Sequence, residues 1–357
     1  MDRSFDALLL VSFGGPEGPD DVVPFLENVT RGRGIGAERL KQVGEHYFQF
    51  GGVSPINGQN RRLLAALRVE LERRAIEIPV YWGNRNWRPY ISDTVAQMRQ
   101  DGIKRAVAFF TSAYSSYSGC RQYRENLAAA RIEVGDAAPE IERLGPYFNH
   151  PGFIEPFVDS TIAALAELPQ TERAAARLVF TTHSIPTAMA ESSGVPTGAY
   201  VRQHREVATL VAQRVALRTE STHLWDLVYQ SRSGPPQVPW LEPDIEDHLG
   251  SLHEAGVRAV VVVPIGFVSD HMEVVWDLDT QAVARARAFG MSMSRARTPG
   301  DDPRFVSMIA DLLTERLDSV ELSDRLRWGA EGASPDRCAH GCCPNPRERL
   351  PAVGENP

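Results

Sequence analysis

The chain has 357 residues, of which 43% are hydrophobic and 24% are charged. This composition is typical of a folded globular protein with room for two domains. A net charge of −8 argues against a nucleic-acid-binding protein, which would carry a basic surface. No apolar run approaches the roughly 18–20 residues of a membrane span, and the N-terminus lacks the basic segment of a signal peptide. We therefore expect a cytoplasmic protein with reduced thiols.

Short apolar segments alternate with amphipathic ones along most of the chain. The apolar segments predict parallel strands that are buried on both faces: Ala7–Ser12, Pro79–Trp82, Arg105–Phe110, Arg177–Thr182, Leu224–Tyr229 and Arg258–Pro264. The amphipathic segments predict helices: Asn60–Arg74, Ile91–Gln100, Gly152–Ala166, Tyr200–Leu217, Ile245–Glu254 and Asp301–Leu317. This alternation favours doubly wound α/β layers.

The alternation runs twice, which predicts two domains. We place the first at residues 1–148 and the second at 149–320, with prolines near the boundary. We place a cysteine-containing tail at residues 321–357. After Trp328 the chain loses periodicity and is rich in glycine and proline, so residues 329–357 predict an irregular structure. If two α/β domains face each other, functional residues should follow the carboxyl ends of the strands and line the cleft between them.

One histidine stands at the end of a predicted strand. His183 follows an apolar run and precedes Ser184, Ile185 and Pro186. A neutral imidazole at this position can accept a proton or ligate a divalent metal. A buried, hydrogen-bonded histidine with a structural role explains this pattern equally well.

A second candidate group follows the last predicted strand. Asp270 and Glu273 have the spacing of a capping box, which would give Glu273 a structural role. Glu273, Asp277 and Gln281 also follow one another at intervals of four, which predicts one shared helical face. A row of carboxylates facing a cleft can move protons or attract hydrated metal ions. We favour the functional interpretation of this row.

The four cysteines are unevenly distributed. Cys120 stands alone, whereas Cys338, Cys342 and Cys343 lie close together near the C-terminus. Adjacent cysteines in a reducing compartment are better candidates for metal ligands than for disulfides. Four thiolates suit either a structural zinc ion or an iron–sulfur cluster, and the spacing does not choose between them. Reduced cysteines without a ligand are the third alternative.

Six motifs occur in order along the chain: Leu9–Gly14, Arg31–Arg33, Gly51–Pro55, His183–Pro186, Tyr229–Gly234 with Trp240–Pro243, and Gly266–Glu273. With these motifs the chain resembles the ferrochelatases over nearly its whole length. The resemblance implies two Rossmann-like, chelatase-type domains, each a parallel sheet flanked by helices, with a porphyrin cleft between them. It also implies an enzyme that inserts Fe²⁺ into a porphyrin in haem biosynthesis.

The resemblance assigns roles to the candidate residues. It implies that His183 and Glu273 face the porphyrin centre and handle metal and protons, with Asp277 as the next acid. Gln281 stands where some relatives have a third acid. Phe13 stands where several relatives have a tyrosine close to the metal, so we expect it only to pack against the macrocycle.

The substrate expectation also comes from the resemblance, which is strongest to actinobacterial members. It implies coproporphyrin III as substrate and coproheme as product, with substrate carboxylates bound near Arg31, Arg33, Ser54 and Tyr123. Arg33 is equally well explained as a solvated surface arginine. A protoporphyrin IX ferrochelatase, another tetrapyrrole chelatase, and a haem or iron–sulfur sensor without catalysis stay open as alternatives.

The cysteines match a further property of some family members. The arrangement of one internal and three C-terminal cysteines resembles members that hold a 2Fe–2S cluster, which implies Cys120, Cys338, Cys342 and Cys343 as ligands. Such a cluster would tie the tail to the first domain. We expect no stable membrane insertion, because residues 28–36 are polar and glycine-rich. We also expect a monomer that makes transient contact with other haem-pathway enzymes.

Overall fold

Two parallel four-stranded sheets form the frame of the molecule. The computed structural model describes residues 5–32, 34 and 36–355. The first sheet has the strand order β2-β1-β3-β4, and the second has the equivalent order β6-β5-β7-β8. The strands are β1 (Ala7–Ser12), β2 (Val80–Asn84), β3 (Arg105–Phe110), β4 (Glu140–Arg143), β5 (Arg177–His183), β6 (Trp225–Gln230), β7 (Ala259–Val263) and β8 (Ser292–Arg295).

Helices flank both sheets, as expected for buried parallel strands. They are α1 (Pro19–Val29), α2 (Ala37–Phe48), α3 (Ile56–Arg73), α4 (Ile91–Gln100), α5 (Gln122–Val134), α6 (Pro151–Glu167), α7 (Gln170–Arg173), α8 (Thr187–Glu191), α9 (Ala199–Thr219), α10 (Ile245–Glu254), α11 (Met272–Trp276), α12 (Val283–Ala288) and α13 (Pro303–Leu317). Two π-helical segments, Tyr117–Arg121 and Asp277–Ala282, precede α5 and α12.

The α/β prediction is confirmed, and each of the predicted strands and helices is present within a few residues of its predicted bounds. The prediction missed β4 and β8, which are four residues long and lie at sheet edges. Their sequences carry charged or polar side chains instead of an apolar run. An edge strand buries less of its surface than a central one, so its sequence need not be continuously apolar.

One hydrophobic cluster continues from the first sheet into the second. It includes Leu8 and Phe109 as well as Phe180 and Val261. Phe109 stacks on Tyr147 with 4.8 Å between ring centroids, and helix α13 packs against both α3 and α6. This shared core fixes the two sheets relative to each other. The boundaries at residues 148 and 320 stay a prediction.

The segment after α13 is irregular, as predicted. Its described part, up to residue 355, contains one 3₁₀ turn at Leu322–Asp324 and one isolated bridge between Cys338 and Glu355. Ion pairs attach it to both halves of the molecule, since Arg202 on α9 pairs with Glu331 and Arg121 pairs with Glu355 at 2.8 Å. The tail is therefore a docked part of the fold. Within the described residues, we find no helix with the length and apolarity of a membrane span.

The shared core generates a stability prediction. Phe305 on α13 is completely buried, and its ring contacts Phe109 and Tyr147 of the first half edge-on. We expect Phe305→Ala to lower the free energy of unfolding by about 3–5 kcal/mol, because it leaves a cavity at the junction of the two sheets. Chemical denaturation followed by tryptophan fluorescence measures this loss.

The control is Leu217→Ala, at a side chain that is 78% exposed. It should change the free energy of unfolding by less than about 0.5 kcal/mol. Equal losses in the two variants would contradict the assignment of Phe305 to the shared core.

Candidate active site

The structure brings His183 and Glu273 together. His183 is the last residue of β5, and Glu273 lies in the first turn of α11, which follows β7. Since β5 and β7 are neighbours in the sheet, their carboxyl ends place the two side chains at one edge. His183 Nε2 lies 3.5 Å from Glu273 Oε2, and the side chains are 31% and 48% exposed. The pair therefore faces an accessible space.

The tautomer of His183 follows from its backbone contact. Its Nδ1 hydrogen-bonds the carbonyl oxygen of Ser184, and because a carbonyl only accepts, Nδ1 carries the proton. In the neutral ring the lone pair is then on Nε2, which points at Glu273. Burial lowers the pKa of His183, but the negative charge and hydrogen bond of Glu273 outweigh it, so the pKa lies above its ordinary value. This nitrogen is suited to accept a proton.

Asp277 continues the acidic site towards the interior. Burial raises its pKa to about 7, and the charge of Glu273 adds to this effect. Hydrogen bonds from Ser231 and Gln230 act in the opposite direction and lower the pKa. The Ser231 hydroxyl donates to Asp277 Oδ2, and Ser231 holds a left-handed backbone with φ of 61°, which is uncommon for a residue other than glycine. Asp277 therefore exchanges its proton near neutral pH.

The capping interpretation of Glu273 is wrong. Helix α11 begins after His271, and Asp270 does not cap it. The Asp270 carboxylate instead accepts from Arg295 and Thr298, each at 3.2 Å. Without its partner the capping box is not formed, and Glu273 contacts His183.

Of the predicted carboxylate row, the structure brings Glu273 and Asp277 near each other. The chain adopts a π-helical segment from Asp277 to Ala282, and the position of Gln281 on the same face stays a prediction. Within this segment Asp279 pairs with Arg295. The apolar pattern of the sequence carries no signal for a π-helical insertion, although such insertions are frequent at functional sites.

A buried hydrogen-bond network supports His183 from behind. The Tyr200 hydroxyl donates to the carbonyl oxygen of His183 at 2.8 Å, and it lies 2.9 Å from the Thr182 hydroxyl. Thr182 also contacts His204 Nε2 at 2.8 Å. Burial lowers the pKa of His204 to about 3, so this second histidine stays neutral and structural.

The same network reaches the first half of the molecule. Tyr114, which follows β3, stacks on His204 with 3.5 Å between ring centroids. Its hydroxyl donates to the carbonyl oxygen of Ile265 at 2.8 Å, and Ile265 begins the loop that leads to Glu273. One side chain of the first half thus fixes the loops that carry both active-site residues.

Helices α1 and α2 cover one side of the site, and the sequence did not predict them. Tyr47 on α2 is buried with Met272 in a small apolar cluster. Burial and then the charges of Glu273 and Asp277 raise the pKa of Tyr47, which places it close to both carboxylates. His46 stacks on Trp276 at 4.0 Å. These contacts join the first half to α11.

The predicted substrate-contact residues fall into different settings. Phe13 packs against the cluster that contains Met272, and Tyr123 is buried and stacked on Phe110 at 5.2 Å. Ser54 is buried beside Gly15, where a Cβ atom would lie 2.7 Å from the Ser54 Cβ. Arg31 is exposed after α1. Arg33, which was predicted to lie near a substrate carboxylate, is outside the described residues.

Arg85 also lies in this region, although the sequence did not predict it as a site residue. The guanidinium carbon of Arg85 lies 4.5 Å from the ring centre of Tyr123 and 5.8 Å from that of Phe13. It therefore joins two of the predicted contact residues. Its position directly after β2 was the available signal, because carboxyl ends of parallel strands are where functional residues collect.

The four cysteines converge on one place, as the resemblance to cluster-holding family members implied. Cys342 and Cys343 have their sulfur atoms 3.8 Å apart, and the Cys338 thiol interacts with those of Cys120 and Cys342. Over residues 5–32, 34 and 36–355, however, no group of three or more His, Cys, Asp or Glu side chains has the arrangement of a metal site. The sulfur atoms contact one another directly.

Buried cations surround these sulfur atoms. Arg143 donates to Cys338 Sγ at 3.0 Å, and the amide of Gly194 donates to Cys343 Sγ at 3.1 Å. Arg124 and Arg143 are both buried, and each has guanidinium nitrogen atoms without a hydrogen-bond partner in the described structure. Hydrogen bonds from Cys120 and Cys342 lower the pKa of Cys338, and both arginines add to this effect. The site therefore favours negative charge on sulfur.

A groove of about 870 Å³ runs along the edge strand β2 and is lined by Leu64, Ile78 and Trp82 among others. It contains no predicted site residue and does not include the His183–Glu273 pair. We place the chemistry at that pair because of its geometry.

The comparisons with solved structures agree with this fold. The solved sirohydrochlorin chelatase SirB from Bacillus subtilis subspecies spizizenii, in complex with cobalt, matches with a TM-score of 0.50 at 12% identity, over 90% of this chain and 99% of that one. A second structure, SirB from Bacillus subtilis with Fe³⁺, matches with a TM-score of 0.51 at 11% identity, over 90% of this chain and 99% of that one. At these identities the likeness shows the chelatase fold alone.

Similarity in sequence establishes the family to which the chain belongs. The ferrochelatase family model matches residues 5–317. A coproporphyrin III ferrochelatase from Streptomyces coelicolor is 57% identical, over 98% of this chain and 96% of that protein. One from Nocardia farcinica is 53% identical, over 98% and 99%. The chain belongs to the ferrochelatase family.

The raised pKa of Asp277 predicts a pH-dependent stability difference. Since the folded-state pKa is about 7 and the ordinary value is 3.8, the folded protein holds an extra proton between these pH values. The associated stabilisation is complete below about pH 4 and is lost as the pH rises to about 7. Relative to Asp277→Asn, the wild type should therefore lose stability over this window.

Chemical denaturation at pH 4.5, 6 and 8 measures this difference. The control is Asp136→Asn at an exposed position, which should follow the wild type at each pH. A constant offset between Asp277→Asn and the wild type would contradict the buried, protonated state of Asp277.

Proposed function

We propose that this chain is a coproporphyrin III ferrochelatase, which inserts Fe²⁺ into coproporphyrin III and forms coproheme. The observation that carries the proposal is the 3.5 Å contact between His183 and Glu273, backed by the buried Asp277. The names of the Streptomyces and Nocardia relatives, and their identities over nearly the whole chain, support coproporphyrin III as the substrate.

The reaction explains why these residue types are needed. Fe²⁺ replaces two pyrrole N–H protons, so the site must accept two protons for each metal ion that it delivers. His183 Nε2 accepts the two protons in turn from the pyrrole nitrogens, and Glu273 stabilises the imidazolium that forms each time. The first proton must leave His183 before the second is accepted. Imidazole and carboxylate also ligate Fe²⁺ without the tight hold of a thiolate cage, so the metal is released to the porphyrin.

Asp277 serves as the exit for protons in this proposal. It lies one turn beyond Glu273 and is more deeply buried, and its pKa of about 7 is close to a neutral working pH. A group with such a pKa takes up and releases a proton with little free-energy cost. The sequence His183, Glu273, Asp277 thus leads from the accessible space towards Ser231 and Gln230.

We further propose that Cys120, Cys338, Cys342 and Cys343 hold a 2Fe–2S cluster. The buried guanidinium groups of Arg124 and Arg143 fit such a group, because an anionic cluster on four thiolates would supply the negative charge that they lack. Cys342 and Cys343, whose sulfur atoms lie 3.8 Å apart, would hold this group together with Cys120 and Cys338. A bound cluster supplies one-electron redox chemistry.

The test of the activity is substitution at the pair. We expect His183→Ala and Glu273→Gln each to lower kcat/KM by about 10²–10⁴-fold, because each removes a group that moves protons in the transition state. Anaerobic assays with Fe²⁺ and coproporphyrin III measure this loss. His253→Ala is the matched control, since His253 stacks on Phe289 in the last turn of α10, which leads into the amino end of β7, whereas the pair lies at the carboxyl ends of the strands. This variant should retain wild-type turnover.

Unchanged turnover in His183→Ala would exclude the catalytic role and favour a binding protein without catalysis. A wild-type rate that is much higher with cobalt than with iron would instead favour another tetrapyrrole chelatase.

The test of the cluster is the composition and visible spectrum of the protein purified without oxygen. We expect iron and acid-labile sulfide in equal amounts and visible absorption, all of which Cys342→Ser should abolish. His340→Ala, in the same segment, should leave them unchanged. Stoichiometric zinc without sulfide, or four free thiols without metal, would contradict the proposal.

A further inference from the structure

Arg85 occupies a fixed position at the cleft side of the first sheet. It follows β2 directly, and its amide donates to the carbonyl oxygen of Ser12 at 2.9 Å. The next amide, of Asn86, donates to the carbonyl oxygen of Phe13 at 3.0 Å. The backbone at Arg85 is therefore held against the carboxyl end of β1, where the loop to the active site begins.

The partners of the Arg85 side chain are neutral. Its Nε donates to Asn126 Oδ1 at 2.7 Å, Nη1 lies 3.5 Å from the carbonyl oxygen of Ser118, and the ring of Tyr123 lies beneath it at 4.5 Å. In the part of the chain that the structure describes, Arg85 pairs with no carboxylate, whereas Arg121 nearby binds Glu125 and Glu355. A half-buried guanidinium held by neutral groups retains an uncompensated charge.

The surroundings connect this charge to the active site. The ring of Phe13 lies 5.8 Å from the guanidinium, and Phe13 packs against the apolar cluster that includes Met272, the neighbour of Glu273. Phe13 thus spans the interval between Arg85 and the helix that carries Glu273. A flat ligand against Phe13 would extend from the acid–histidine pair at one edge to Arg85 at another.

We propose that Arg85 binds a carboxylate of the porphyrin, with Asn126 and Tyr123 holding its guanidinium in place. This inference rests on the proposed function. A guanidinium matches a carboxylate in charge and in its two-pronged hydrogen-bonding geometry. A hydrogen bond to a charged group contributes enough to change affinity by about 10–100-fold. Arg85 therefore determines specificity for acidic porphyrins and takes no part in the proton transfer.

The experiment compares an acidic porphyrin with its uncharged ester. Dissociation constants for coproporphyrin III and its tetramethyl ester, both in the same mild detergent, are measured by fluorescence quenching. We expect Arg85→Met to weaken binding of the acid by about 10–100-fold and that of the ester by less than about threefold, since the ester offers no carboxylate. Arg85→Lys should recover part of the loss. Arg258→Met, at an exposed residue before β7, is the control and should match the wild type.

Equal weakening of acid and ester in a folded Arg85→Met variant would overturn the inference, because it would indicate a structural role. Unchanged affinity for the acid would overturn it too. If Arg85→Met is unfolded at the assay temperature, the acid and the ester are compared with Arg85→Lys instead. In that variant we expect a smaller loss of affinity, again confined to the acid. A wild type that binds neither porphyrin would instead contradict the proposed function itself.

Protoporphyrin IX, which has vinyl groups in place of two of the propionates, identifies the carboxylate concerned. A loss confined to coproporphyrin III assigns Arg85 to a side chain that the two porphyrins do not share. An equal loss for both acids, with the ester unaffected, assigns it to a shared propionate. Both results support carboxylate binding by Arg85.

Discussion

The geometry of the site depends on two loops being held at a fixed separation. His183 and Glu273 sit on different segments, after β5 and after β7, and the 3.5 Å between them exists only while both loops keep their places. Two tyrosine hydroxyls provide this restraint, since Tyr200 holds the carbonyl of His183 and Tyr114 holds that of Ile265. The Tyr114 bond is buried and the Tyr200 bond is partly buried, so water competes little for them.

The acids of the site differ in exposure, and this difference separates their roles. Glu273 is half-exposed and lies against His183, whereas Asp277 is partly buried and its pKa is raised by burial to about 7. Two like charges at adjacent turns would repel if both were ionised. Burial resolves the conflict by keeping one of them neutral for part of the time. The pair can then hold a metal ion and still accept a proton.

Much of the fold could be predicted from the sequence because central strands and amphipathic helices leave strong periodic patterns. The end of β5 located His183 correctly for this reason. Edge strands β4 and β8 left no such pattern, and neither did the π-helical segment after Trp276. Arg85 was not predicted because the sequence does not show which side chains surround it. Among the described residues it has no acidic partner, and this follows only from the three-dimensional packing. For the cysteines, the resemblance to the family implied that they converge, whereas the surrounding arginines were visible only in the structure.

Because the tail docks on both halves of the molecule, its contacts form later in folding than those within each half. Cys120 belongs to the first half, whereas the three sulfur atoms that meet it follow much later, at Cys338, Cys342 and Cys343. Domains generally fold as they emerge, beginning with the N-terminal one. The loop that carries His183 can therefore form during synthesis, before the buried Arg143 has gained its sulfur partner. The contacts of the tail are completed only after residues 338–343 have been synthesised.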